Sequence, residues 1–287
     1  MNNLNSLIEV KNICKTYPDF SLDNVSFNVP RGFIMGFIGP NGAGKTTTIK
    51  SILNMLSPDS GEIILFGEKI SVDSKDAIGV VMDSPFYVDD WNITDVEKAI
   101  SPFYKSWNRD KFDELIKKFN IVPTKKVKEL SRGMKVKLML AVALSHDAKL
   151  LILDEPTSGL DPAVRDDLMD ILADFIADEN KAVLFSTHIT SDLEKIADYI
   201  TFIINGKIEF TGEKDKLIES YRLVKGGVAN LSAEQKQNII GYREHNVGFD
   251  GMIKTENIKN LPADVVTDKI SLDDIIIYMN KGAKNNE

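Results

Sequence analysis

The sequence has a single cysteine, Cys14, so no disulfide can form within the chain. A small core residue in a reducing cytosol suits it better than a reactive thiol. Basic residues are not in excess. Lys and Arg number 35 against 43 Asp and Glu, a formal charge of −8, which argues against a broad nucleic-acid-binding face. Long apolar runs are missing too. Leu138–Leu144 and Leu150–Leu153 are among the longest, far below the roughly 20 residues a bilayer-spanning helix needs. Any membrane role therefore has to proceed by docking. The opening Met1–Ser6 has no basic stretch followed by an apolar one, so no signal peptide is expected. Internal repeats and low-complexity segments are not evident. What is there is a chain of 287 residues, 43% hydrophobic, enough for one large domain with a small appendage.

Hydrophobic patterning predicts strands at Ser6–Val10, Val25–Val29, Phe33–Ile38, Glu62–Phe66, Ile78–Met82, Leu150–Leu153 and Val183–Phe185. A helix is expected from Gly44 to about Leu56. Residues 84–148 read as mainly helical, with a capping box at Thr94–Glu97 and an amphipathic helix over Asp110–Phe119. A helix capped at Ser191 should run to about Tyr199. Asn205-Gly206 between Ile200–Ile204 and Lys207–Phe210 signals a hairpin. Beyond about Gly212 the texture turns polar and ends in a capped helix, Ser271–Met279. Alternating buried strands and helices imply an α/β domain with a largely parallel sheet.

Two motifs carry chemistry. Gly39-Pro-Asn-Gly-Ala-Gly-Lys-Thr46 fits G-x-x-x-x-G-K-[ST] between an apolar strand and a helix. Gly42 and Gly44 permit torsions that turn successive N–H groups onto phosphate oxygens, and the helix that follows presents its positive end. Lys45 would reach the β- and γ-phosphates and Thr46 would bind Mg²⁺. The second motif is an apolar strand ending in Asp154-Glu155. Asp154 would hold Mg²⁺ and Glu155 would polarise an attacking water.

With Leu130-Ser-Arg-Gly-Met134, Asp154-Glu-Pro-Thr-Ser-Gly-Leu-Asp161 and Ser186-Thr-His188, the chain over residues 6–212 resembles ATP-binding-cassette (ABC) ATPases. It is closest in type to the drug, bacitracin and lantibiotic exporter branch. The resemblance implies a P-loop NTPase fold with an N-terminal antiparallel β part, an ABC domain over 1–212 and a helical subdomain at about 84–148. A small C-terminal extension of unknown role, 213–287, would follow. It implies ATP and Mg²⁺ as ligands, held by Gly39, Asn41, Gly42, Gly44, Lys45, Thr46 and Thr47, with Tyr17 stacked on adenine. Ser131, Gly133 and Asp161 would act across a head-to-tail dimer, where Ser131 and Asp161 could equally be plain helix caps. Glu155 and His188 would be catalytic, and Thr46, Asp154 and Asp83 would serve the metal.

Departures occur at Arg132 and Met134 in the signature, and at Asp83, where the family usually has glutamine. Pro85–Trp91 reads either as a docking surface or as subdomain packing. The implied protein is the ATP-hydrolysing subunit of a membrane exporter, cytoplasmic and peripheral on the inner face of the cell membrane. Its expected partners are a multi-span permease and a second ATPase, identical or similar, with no nucleic acid. The alternatives are a soluble ABC ATPase acting on ribosomes or DNA, which would need paired cassettes or long coiled coils, and an ordinary P-loop kinase.

Overall fold

The computed structural model describes residues 6–227 and 231–285. Residues 1–5, on which the expectation of no signal peptide mainly rests, lie outside the described residues. The elements run β1 (Ser6–Tyr17), β2 (Phe20–Pro30), β3 (Ile34–Ile38), α1 (Lys45–Ile52), β4 (Ser60–Leu65), β5 (Glu68–Lys69), α2 (Val72–Asp76) and β6 (Ile78–Val81). Three helices follow, α3 (Ile93–Ile100), α4 (Arg109–Lys118) and α5 (Arg132–Leu144). Then come β7 (Leu150–Asp154), α6 (Pro162–Ile176), β8 (Ala182–Thr187), α7 (Thr190–Ile196), β9 (Tyr199–Ile204) and β10 (Lys207–Glu213). The chain closes with α8 (Lys214–Glu219), β11 (Tyr221–Gly226), α9 (Ala233–Gln237), β12 (Ile240–His245), β13 (Gly248–Lys254), β14 (Val266–Asp268) and α10 (Leu272–Asn285).

The chain divides into two compact units. One comprises the residues up to Ile189 together with Tyr199–Thr211; the other holds Thr190–Asp198 and the residues from Gly212 onward. In the first, an antiparallel sheet of order β2-β1-β4-β5 faces a six-stranded sheet of order β10-β9-β3-β8-β7-β6. β6, β7, β8, β3 and β9 run parallel. β3, β7 and β8 are buried along their whole length, as a strand covered on both faces must be. One core joins the two sheets: Val10, Val25 and Phe27 pack with Phe37, Ile152 and Leu184. Phe27 and Phe37 stack with ring centroids 5.2 Å apart. In the second unit a four-stranded sheet, β12-β13-β11-β14, carries its own small core of Val224, Ile239, Phe249 and Ile253.

Several local expectations need correction. α1 stops at Ile52, short of Leu56, because Asn54 turns left-handed (φ 54°). The Asn54 amide then donates to the Ser51 carbonyl and the Met55 amide to that of Lys50, closing the helix end. The box starting α3 is Asn92 with Asp95, two residues before Thr94 and Glu97. α7 ends at Ile196, since Tyr199 already belongs to β9, paired with Met35. Cys14 is half-buried, not a core residue. The polar tail contains a sheet as well as its closing helix. The hairpin at Asn205-Gly206 is present, with φ of 47° and 75° at its two turn residues, the signature of a two-residue turn matched to strand twist. In Pro85–Trp91, Phe86 and Val88 are exposed while Tyr87 and Trp91 are half-covered.

Candidate functional site

β3, β8 and β7 are consecutive neighbours in the sheet, so their carboxyl ends lie side by side. Open parallel sheets collect ligands at that edge. From β3 the chain enters the loop Gly39–Gly44 and then α1. Gly42 and Gly44 have φ of 81° and 110°, so glycine is the residue that fits. A side chain at Gly44 would in addition come 2.6 Å from Leu22 and 2.8 Å from the Phe20 ring. At Gly39 a Cβ would meet the Ile203 carbonyl oxygen at 2.3 Å. The loop thus lies flush against β2 and β9, and its N–H groups and the start of α1, which has no acidic residue in its first turn, form an anion cradle.

A cavity of about 370 Å³ opens over it, lined by Phe20, Glu155, Asn41, Gly42 and Gly44–Thr47. Lys45 is buried, and its Nζ donates to the carbonyls of Gly39 (2.7 Å) and Pro40 (3.2 Å). It also stands 3.1 Å from Glu155 Oε1. The other Glu155 oxygen lies 2.7 Å from His188 Nδ1 and accepts from the His188 amide at 3.4 Å. Lys45, Glu155 and His188 therefore form one chain of contacts, although they come from three separate segments. Behind them Asp154 is fully buried and accepts from Thr46 Oγ1 at 2.8 Å and Ser186 Oγ at 3.0 Å. Burial pushes the Asp154 carboxyl above its ordinary range, and the two hydroxyls pull it only part of the way back.

Thr46 and Asp154 are hard oxygen donors beside an anion cradle, which suits Mg²⁺. This ion binds through one or two carboxylates plus substrate phosphates and keeps several waters. Among the described residues no cluster of three or more His, Cys, Asp or Glu could hold a metal by itself.

The other expected residues stand elsewhere. Ser131 caps α5, accepting from the Met134 amide at 3.3 Å, and Asp161 caps α6, accepting from Val164 at 3.1 Å. Gly133 faces Val164, whose side chain would lie 3.3 Å from an added Cβ. None of these three lines the cavity. Asp83 lines a separate depression and accepts from Arg132 Nη2 at 2.6 Å. Tyr17 is partly exposed and stacks on Phe20, centroids 6.4 Å apart. Phe20 is the lining residue that sequence reasoning missed, although Pro18-Asp19 between two aromatics is a turn signal that would set Tyr17 opposite Phe20, as the register does. Ser186, from the Ser186-Thr-His188 motif, also joins the site. Its bond to Asp154 follows from the pairing of those two residues between β7 and β8.

The sequence profile of a family described as "ABC transporter" matches residues 22–158. A lantibiotic transport ATP-binding protein of Streptococcus pyogenes, SrtF, is 35% identical over 73% of this chain and 92% of its own length. A bacitracin transport ATP-binding protein of Bacillus licheniformis, BcrA, is 32% identical over 88% of this chain and 85% of its own. Among solved structures, one described as the ATP-binding subunit of an ABC transporter superposes with a TM-score of 0.67. It is 26% identical and covers 74% of this chain and 92% of that one.

Proposed function

The chain belongs to the ABC transporter ATP-binding family, and from that premise we propose how its residues turn ATP hydrolysis into transport. It is the ATP-binding and ATP-hydrolysing subunit of a membrane transporter. The alternative of a soluble ABC ATPase on ribosomes or DNA finds no support among these relatives. No helix among the described residues is long and apolar enough to cross a membrane. Transport then rests on a permease, and export is the direction the lantibiotic and bacitracin relatives favour.

The loop amides of Asn41–Thr47 wrap the phosphates, and Tyr17 with Phe20 forms a platform for adenine. Lys45 exchanges Glu155 for the β- and γ-phosphates. Thr46 and Asp154 would hold Mg²⁺, which would supply positive charge against the phosphates. Glu155, freed from Lys45, orients and polarises the attacking water, while His188 stays on its other oxygen and reaches toward the γ-phosphate. Ser131, Gly133 and Asp161 contribute from a second copy, identical or similar, because they do not line the cavity of their own chain. Phe86 and Val88 are exposed, which supports a role in docking the permease, with the subunit peripheral on the inner face of the cell membrane.

The observation carrying this reading is the Lys45–Glu155–His188 chain at the mouth of the glycine loop. Lys45→Ala should lower turnover at least about a hundredfold; turnover within threefold of the parent would remove the assignment. Glu155→Gln should slow hydrolysis by a similar factor and accumulate ATP-bound dimer, seen by size-exclusion chromatography.

A further inference from the structure

Two departures from the usual family residues touch each other. Arg132 opens α5 in the signature stretch, and Asp83 stands two residues past the end of β6. Nη2 of Arg132 donates to Asp83 Oδ1 at 2.6 Å. The Arg132 side chain also passes over Gly159, in the loop after β7. A Cβ on that glycine would lie 3.4 Å from both Cδ and Nε of Arg132. Gly159 has φ of 68°, so a larger residue there would be strained as well as crowded. One cation thus joins three chain segments that all lead toward the nucleotide: the end of β6, the start of α5, and the loop that carries Glu155 and Asp161.

An exposed ion pair adds little to stability, and this one is about half exposed at both ends, 47% and 55%. Its effect must then lie in geometry. Arg132 cancels the charge of the Asp83 carboxylate. In return Asp83 holds the guanidinium across Gly159, fixing the first turn of α5 relative to the loop before α6. Ser131 is the cap of that turn.

We propose that Arg132 is a positioning residue which, ion-paired to Asp83 and laid over Gly159, sets the Ser131 end of α5 for the nucleotide carried by a second copy. The proposal rests on the two-copy reading above. It also withdraws Asp83 from the metal, leaving Thr46 and Asp154 there.

The test uses full-length protein in the Glu155→Gln background, with ATP-driven dimerisation followed by sedimentation. In the otherwise native enzyme kcat, KM and the Mg²⁺ requirement are measured. Arg132→Ala and Asp83→Ala should each weaken dimerisation and lower kcat about tenfold. Tm and the ATP affinity of the single subunit should not change. The double alanine variant should be no worse than either single one. The exchanged pair, Asp83→Arg with Arg132→Asp, should recover most of the loss. Additive single effects, or dimerisation indifferent to Arg132→Ala, would overturn the proposal. So would a raised Mg²⁺ requirement in Asp83→Ala alone, since that marks a metal residue. If Glu155→Gln itself fails to dimerise with ATP, the two-copy reading falls and this inference falls with it.

Discussion

At the scale of single residues, Glu155 carries its carboxylate on a left-handed backbone, φ 50°. For a residue with a Cβ that conformation costs about 1–2 kcal/mol. It is kept because it turns the side chain between Lys45 and His188. Replacing Glu155 by alanine retains the strain, while replacing it by glycine relieves it. Both variants lose the same contacts, so their difference isolates the backbone. Glu155→Gly should be more stable than Glu155→Ala by about 1 kcal/mol in urea unfolding, with hydrolysis lost in both; equal stability would refute the strain. His146 is a second case. Its ring is buried and stacked on Tyr104 at 4.0 Å, and burial drags its pKa to about 4 despite the nearby Asp76. The unfolded chain takes up that proton at about 6.5. The folded form therefore binds fewer protons between those values, and stability present above pH 6.5 is lost as pH falls toward 4, by up to ~3 kcal/mol. His146→Phe should flatten the Tm profile between pH 7 and 5. A slope unchanged by the substitution would show that other groups set it. At this scale the loop Gly39–Thr46 was fully legible, because its conformation is written in residues next to one another. The Asp83–Arg132 pair was not, since Asp83 reads as a metal residue and Arg132 as a departure in the signature, and nothing local joins positions 49 apart.

Elements show the same division between what is local and what is not. The strand ending at Ile38 and the Asn205-Gly206 turn were readable from apolar runs and turn residues. β1 was expected to end at Val10 and continues to Tyr17. Its pairing with β2 shifts register between Val10 and Ile13 and again before Lys15, with Asn12 left-handed at φ 49°. These bulges break the two-residue alternation on which strand recognition depends. At α3 two overlapping sets of capping residues compete. Asn92 prevails over Thr94 because its side chain accepts from the Asp95 amide at 2.9 Å and Asp95 reaches back to the Asn92 amide at 3.3 Å. It also puts Ile93 and Val96 on the buried face. Asn92→Ala should cost about 1 kcal/mol and Thr94→Ala much less. Thermal melts of the two variants compare them directly, and the reverse order would move the helix start back to Thr94.

At the scale of the whole molecule, the change of texture near Gly212 was legible, and the membership of Thr190–Asp198 in the second unit was not. Thr190–Asp198 groups with residues from Gly212 onward, and only distant pairing brings that about. Strands in the tail are short, and β11 finds its partners in β13 and β14, so no local pattern announces them. Within this second unit Asp250 on β13 ties the sheet to α10. It accepts from Arg243 Nε at 2.8 Å and Nη2 at 3.1 Å, and from the Tyr278 hydroxyl at 3.0 Å. Burial pushes the Asp250 carboxyl up, but the bonds from Arg243 and Tyr278 more than offset this and hold it below the ordinary range. Stability from that depression is present above the unfolded pKa of about 3.9 and is lost as pH falls through the lower folded value. Asp250→Asn should thus weaken the unit by about 1–2 kcal/mol at pH 7, and the gap to the parent should close under strong acid. Hydrogen exchange followed by mass spectrometry locates the effect. Amides of β11–β13 should lose protection while those of β3 and β7, inside the first unit's own core, keep theirs. Equal loss in both sets would mean that the two units unfold as one, and the tail could then be no separate module.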